Sequence, residues 1–89
     1  MSKDKKVEEI RIFGGSLREL NSRDPSRQYV IVGDLFISRN CGFGVLEELT
    51  KKTIAENGYD GVIRAIRFEH KYGVGGHYQG VPIKLNSEK

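Results

Sequence analysis

The chain contains one cysteine in 89 residues, so no intrachain disulfide can form and a disulfide-stapled scaffold is excluded. It has no long apolar run either. The longest, Tyr29-Val30-Ile31-Val32, falls far short of the ~20 residues that a membrane helix requires. Residues 1–9 read MSKDKKVEE and lack the apolar stretch of roughly seven or more residues that a secretory leader carries. With no leader and no disulfide, a reducing cytoplasmic location is the expectation. Proline is scarce, at two residues, and there is no low-complexity tract, against 37% hydrophobic and 30% charged residues. That balance belongs to a folded chain rather than a disordered one. A chain this short holds one core, which rules out a large multidomain enzyme.

A strong excess of one charge is also missing. Fifteen Lys and Arg against twelve Asp and Glu leave +3, with a pI near 9.1. The basic residues are spread along the chain, and most have an acidic neighbour within a few positions. A dedicated nucleic-acid binder concentrates its Lys and Arg on one face. The spread predicts a mixed solvated surface instead.

The first strand is expected over residues 7–13, closed by Gly14-Gly15. Residues 16–27 are rich in turn formers, and Leu17 and Leu20 either make one helical turn or pin the loop to the core. Residues 28–38, QYVIVGDLFIS, form the strongest strand pattern, apolar on both parities, which predicts cover on both faces. Gly33 in its middle marks a bulge or a close backbone approach. Asp34 beside it either turns to solvent or forms a buried ion pair with Arg64 or Arg67. Residues 39–44 read as a turn. Residues 45–57 carry Leu46, Leu49, Thr50, Thr53 and Ile54 on one helical face, with Glu47–Lys51 and Glu48–Lys52 in favourable spacing and Asn57-Gly58 as a left-handed stop. Strands follow over residues 62–72 and 77–85, joined by a glycine-rich turn. The expected architecture is α+β: one helix on a sheet of about four mainly antiparallel strands, in the order β-loop-β-α-β-β. Residues 7–85 form the domain, and 1–6 and 86–89 are tails. The expected core includes Ile31, Leu35, Leu46, Leu49, Ile54, Val62 and Ile66.

The run Tyr29-Val30-Ile31-Val32-Gly33, an amphipathic helix, Gly58-Tyr59-Asp60-Gly61-Val62-Ile63, and a closing Gly80-Val81-Pro82-Ile83 together resemble the YbjQ-type family, usually labelled heavy-metal-binding, and its lipoprotein relatives. Gly58, Asp60, Val62 and Ile63 match that family's middle motif. Tyr59 and Gly61 replace its two alanines, and Pro82 stands where alanine is usual. The resemblance spans residues 28–85 and implies a small α+β domain assembled into a ring-like homo-oligomer, a pentamer. The family's metal label has no fixed ligand set, so no residue here inherits a metal role. The cysteines that form disulfides in the lipoprotein members are missing.

Chemistry-bearing residues are few. His70, His77 and Cys41 are the candidate metal ligands. A turn at Gly73-Val74 would set His70 directly opposite His77, close enough for both rings to share one ion. Two ligands from one hairpin hold a transition metal weakly, and no other cofactor is implied. Asn40 to Gly44 offers either backbone N–H groups for an anion or, as read here, a tight turn whose Asn40 or Gly44 caps the helix. Cys41 lacks a nearby base, and Asp34 lacks a second carboxylate, so no catalytic residue is assigned. Phe43, Tyr59, Phe68, Tyr72 and Tyr78 read as packing aromatics rather than a base-stacking platform. The sequence therefore reads as a non-enzymatic homo-oligomeric binding module. Its alternatives are a weak metal binder through the His70/His77 hairpin and a nucleic-acid-binding domain.

Overall fold

Eleven residues of extended chain at the C-terminal end, Gly75–Leu85, organise the computed structural model, which describes residues 7–70 and 75–86. In chain order, a single 3₁₀ turn at Val7–Glu9 leads to β1 (Arg11–Ile12), α1 (Leu17–Arg23), β2 (Tyr29–Ile31), β3 (Phe36–Ile37) and β4 (Cys41–Gly42). Then come α2 (Phe43–Glu56), β5 (Gly61–Glu69) and β6 (Gly75–Leu85). The expectation of one helix on four strands is corrected: the described residues form two α-helices and a six-stranded mixed sheet. β1 is parallel to β5, β5 is antiparallel to β6, and β2, β3 and β4 each pair antiparallel with the far edge of β6.

The missed helix, α1, is made by a capping box. The Ser16 hydroxyl accepts from the Glu19 N–H at 3.2 Å, and the Glu19 carboxylate accepts from the Ser16 N–H at 3.2 Å. Asn21 then ties the helix to the sheet. Its amide nitrogen donates to the Tyr29 carbonyl at 3.1 Å, and its oxygen accepts from the Tyr29 N–H at 2.8 Å, which replaces a strand neighbour. The turn-rich composition of this stretch concealed a short helix whose stability comes from its cap and its docking.

The predicted strand over residues 28–38 is broken. Gly33 interrupts it as a close approach: a Cβ there would lie 2.7 Å from Pro82 Cγ. The chain leaves β6 after Ile31, keeps one bond from Val32 N–H to the Pro82 carbonyl, and rejoins at Phe36. Asp34 in the bend is exposed, which decides between its two readings in favour of solvent. β5 is irregular too. Its register against β6 shifts between Ile63 and Ile66, and Arg64 takes a φ of 52°. The Arg64 and Ala65 N–H groups turn to the Gly15 and Phe13 carbonyls, each at 2.9 Å. The bulge thus lets β5 continue the pairing that β1 begins.

Alternate residues of a strand face opposite sides, and the core divides accordingly. On one face Leu20 of α1 packs with Tyr29, Ile63 and Ile83. On the other, Ile54 of α2 packs with Ile10, Phe36 and Val62. α2 runs two residues ahead of its expected start, with Gly42 at its N-cap and no side-chain cap, so neither Asn40 nor Gly44 caps it. At its far end Gly58 adopts φ 82° and stops the helix as expected. The Glu47–Lys51 pair closes at 3.5 Å. Asp60 is buried and accepts from the Leu85 N–H at 2.6 Å, which ties the start of β5 to the end of β6.

Leu46, Ile54 and Val62 are core residues as expected, whereas Ile31, Leu35, Leu49 and Ile66 are exposed. Expected cover on both faces of β2 and β3 is therefore absent. Asn86 is no tail residue, since its N–H donates to the Gln28 carbonyl at 2.7 Å. The turn at Gly73-Val74, Tyr72, and the tail segments 1–6 and 87–89 lie outside the described residues.

Replacing Ile54 by Ala should cost about 2–5 kcal/mol in denaturant unfolding through a core cavity. Leu49→Ala, which the helical periodicity alone would make equally damaging, should cost under about 1 kcal/mol because its side chain is 42% exposed. Arg64→Gly should stabilise by up to about 1 kcal/mol, since glycine meets the positive φ without strain, and Arg64→Val should destabilise.

Candidate functional site

α1 has seven residues and spans about 10 Å, whereas the eleven residues of β6 extend for about 36 Å. The helix therefore covers only the Leu85 end of its face. Beyond it the register places Ile37, Gln79 and Ile66 in one row across β3, β6 and β5, and Phe68 beside His77 in the next. Ile31, Leu35, Ile37, Ile66 and Phe68 are between 39% and 58% exposed, an unusual density of large apolar side chains in the open. The charged neighbours on β5 take the other parity. Arg67 stands opposite Tyr78, with its guanidinium 4.7 Å from the centre of the Phe43 ring, and Glu69 stands opposite Gly76. The open half-face thus joins aliphatics, one phenylalanine, one glutamine and histidine, with neither Arg67 nor Glu69 among them.

The two histidines lie at the end of this surface. His77 is opposite Phe68, not His70, because the hairpin register runs two residues away from the one expected; His70 N–H donates to the Gly75 carbonyl instead. The rings still meet diagonally, their centres 5.6 Å apart and tilted by 51°. His77 stacks on Phe68 at 5.1 Å. Each Nε2 is engaged by a side-chain amide: His70 Nε2 and Asn40 Oδ1 are 2.7 Å apart, so that nitrogen donates, and Gln79 Nε2 donates to His77 Nε2 at 3.1 Å. In that tautomer the proton of His77 sits on Nδ1, which is buried and has no partner. Among the described residues no three His, Cys, Asp or Glu side chains gather where they could hold one metal ion, so Cys41 is not brought to the histidine pair as a third ligand.

Cys41 takes the opposite face of the sheet from His77 instead, half-buried and free, because it stands opposite Gly76. It borders a groove of about 470 Å³ between α2 and the chain from Ser38 to Cys41. Thr50 projects from α2 into this wall; it is fully buried and its hydroxyl has no hydrogen-bond partner. The Ser38 hydroxyl is occupied, accepting from the Tyr78 N–H at 2.8 Å. Asn40 joins groove and histidine corner, since it lines the first and binds His70 in the second. Sequence reading passed over Asn40, Thr50 and Gln79 as ligand-facing groups. Their proximity depends on β3 and β4 lying in succession along β6, and no spacing along the chain reports that.

With both Nε2 atoms already engaged by amides, zinc, nickel or copper should bind more weakly than about micromolar, and His77→Ala should abolish what binding remains in a calorimetric titration. Submicromolar affinity that needs His70, His77 and Cys41 together would reverse this expectation. No helix among the described residues is long and apolar enough to cross a membrane. Compared with protein-family models, with curated proteins and with solved structures, the chain shows no match.

Proposed function

We propose that this chain is a non-enzymatic binding module that acts as a homo-oligomer, with a second copy of itself seated on the half of the sheet that α1 leaves open. One observation carries the reading: four large exposed apolar side chains, Ile31, Ile37, Ile66 and Phe68, share that side of the sheet by register, and Arg67 and Glu69 of β5 take the other parity. A neutral patch can face its own copy without like-charge repulsion, whereas any partner that relied on charge would gain little there. The row Ile37–Gln79–Ile66 also suits self-pairing, because its central amide can both donate and accept. The resemblance to the YbjQ-type family points the same way and would make the assembly a closed ring. A lone free cysteine suits the reducing cytoplasm. The groove at Thr50 supplies a place for a small polar ligand beside the interface.

Size-exclusion chromatography with light scattering should give a mass that is a multiple of 10.1 kDa. Ile37→Lys and Ile66→Lys should each shift the protein toward the monomer while leaving its circular dichroism unchanged, since both side chains are more than half exposed. A clean monomer at about 1 mM would exclude the assembly.

A further inference from the structure

Three arginines and a tyrosine meet beside α1. Arg11, Arg23, Arg27 and Tyr29 line a small cavity of about 60 Å³, with Asp24 at its edge. Tyr29 is only 3% exposed, and neither its O–H nor the Arg27 Nε–H has an acceptor for its proton. The two groups are neighbours: a side-chain hydrogen bond to the Tyr29 phenol oxygen, with smaller help from Glu9 and Asp24, holds the Arg27 guanidinium above its ordinary value, and the phenol's own proton is left without an acceptor. Buried donors without acceptors are rare, because each forfeits its hydration with nothing in return. Both orphans here can donate, so an acceptor is what the cavity lacks.

Asp24 does not supply it. Its carboxylate is turned back on its own loop, accepting from the Ser26 hydroxyl at 2.7 Å and the Ser26 N–H at 3.1 Å, and these bonds hold it below the usual carboxylate range. No guanidinium of the three forms an ion pair with another described residue; Arg23 lies over the Phe13 ring at 5.0 Å, which leaves its N–H edges available. Among the side chains lining the cavity, three guanidinium charges against one carboxylate leave two positive charges, partly offset by Glu9 near Arg27, around a space the size of one tetrahedral ion. Planar N–H forks match phosphate oxygens better than any other cationic group does.

We infer that this cavity binds a small dianionic oxyanion of the phosphate class, as free phosphate or as the head of a monoester, held by Arg11, Arg23, Arg27 and the Tyr29 hydroxyl. A second, larger depression of about 430 Å³ shares Arg11 and Arg27 and is bordered by Lys51 and Glu9, which gives room for the rest of an ester. The site lies wholly within one chain, so it is independent of self-association through the sheet.

The test is a calorimetric titration of the full chain with inorganic phosphate, at ionic strength fixed with sodium chloride. Saturable one-to-one binding is expected, with sulfate similar and acetate at least about tenfold weaker. Tyr29→Phe keeps the ring and removes the unpartnered hydroxyl, so the ligand-free melting temperature should hold or rise while phosphate affinity falls about tenfold. Arg27→Gln should weaken phosphate by at least as much. Ile37→Lys should leave it unchanged, which separates this site from the proposed interface. Glycerol phosphate distinguishes the sources: tighter binding than inorganic phosphate, reduced by Lys51→Gln, marks an ester site, and weaker binding marks a site for the free ion. Absence of saturable binding up to about 10 mM, or affinity that survives both Tyr29→Phe and Arg27→Gln, would overturn the inference.

Discussion

Everything in this fold depends on β6 being paired along both edges. One edge carries β5, and the other carries β2, β3 and β4 in succession. A strand in that position must be nearly continuous, and its neighbours adapt to it. The edge that faces β2, β3 and β4 is broken twice, once at the bend after Ile31 and once between Ile37 and Cys41. β5 is irregular once, at Arg64. β6 itself contains Pro82, which has no N–H to offer, yet its carbonyl still accepts from Val32 and its ring fills the space that Gly33 leaves vacant. Gly33 and Pro82 are thus one packing solution contributed by two distant segments.

The β5 partner of β6 shows why the sheet has two cores rather than one. Val62 and Ile63 are consecutive, so they face opposite sides, and each is the centre of a separate cluster. α2 is long enough to serve its side. α1 is not, and the uncovered remainder of its face is the open apolar surface. The same short helix, with its Asn21 clamp, holds Arg23 and Arg27 beside Tyr29. One short element therefore shapes both the surface proposed for self-association and the cavity assigned to an oxyanion.

The functional residues differ in how far they could be read in advance. His70 and His77 were visible as a pair, and their rings do meet, but a hairpin register two residues away changed a directly opposed pair into a diagonal one in which each ring is held by an amide. Cys41 was grouped with them because soft ligands are scarce, and its pairing with Gly76 puts it on the other face of the sheet from His77. Tyr29 and Arg27 carried no signal, because an arginine in a turn and a tyrosine opening a strand are ordinary in composition. Their significance comes from burial without a partner, which is a property of the packed state alone.

Local chemistry by itself determined the parts that depend on near neighbours. The helical period and the Asn57-Gly58 stop defined α2 to within two residues of its start. The Ser16-Leu17-Arg18-Glu19 capping box was equally present for α1, although the turn formers around it outweighed the signal. Apolar alternation located β5 and β6, and the glycine between Val32 and Asp34 announced a close approach. Tertiary structure decided which apolar residues are buried. Periodicity reports that a side chain shares a face, not whether another element is long enough to reach that face. Leu49 and Ile66 obey their periods and remain in solvent, because α2 rolls its Leu46–Thr50–Ile54 stripe toward the sheet and α1 ends before the Ile66 row.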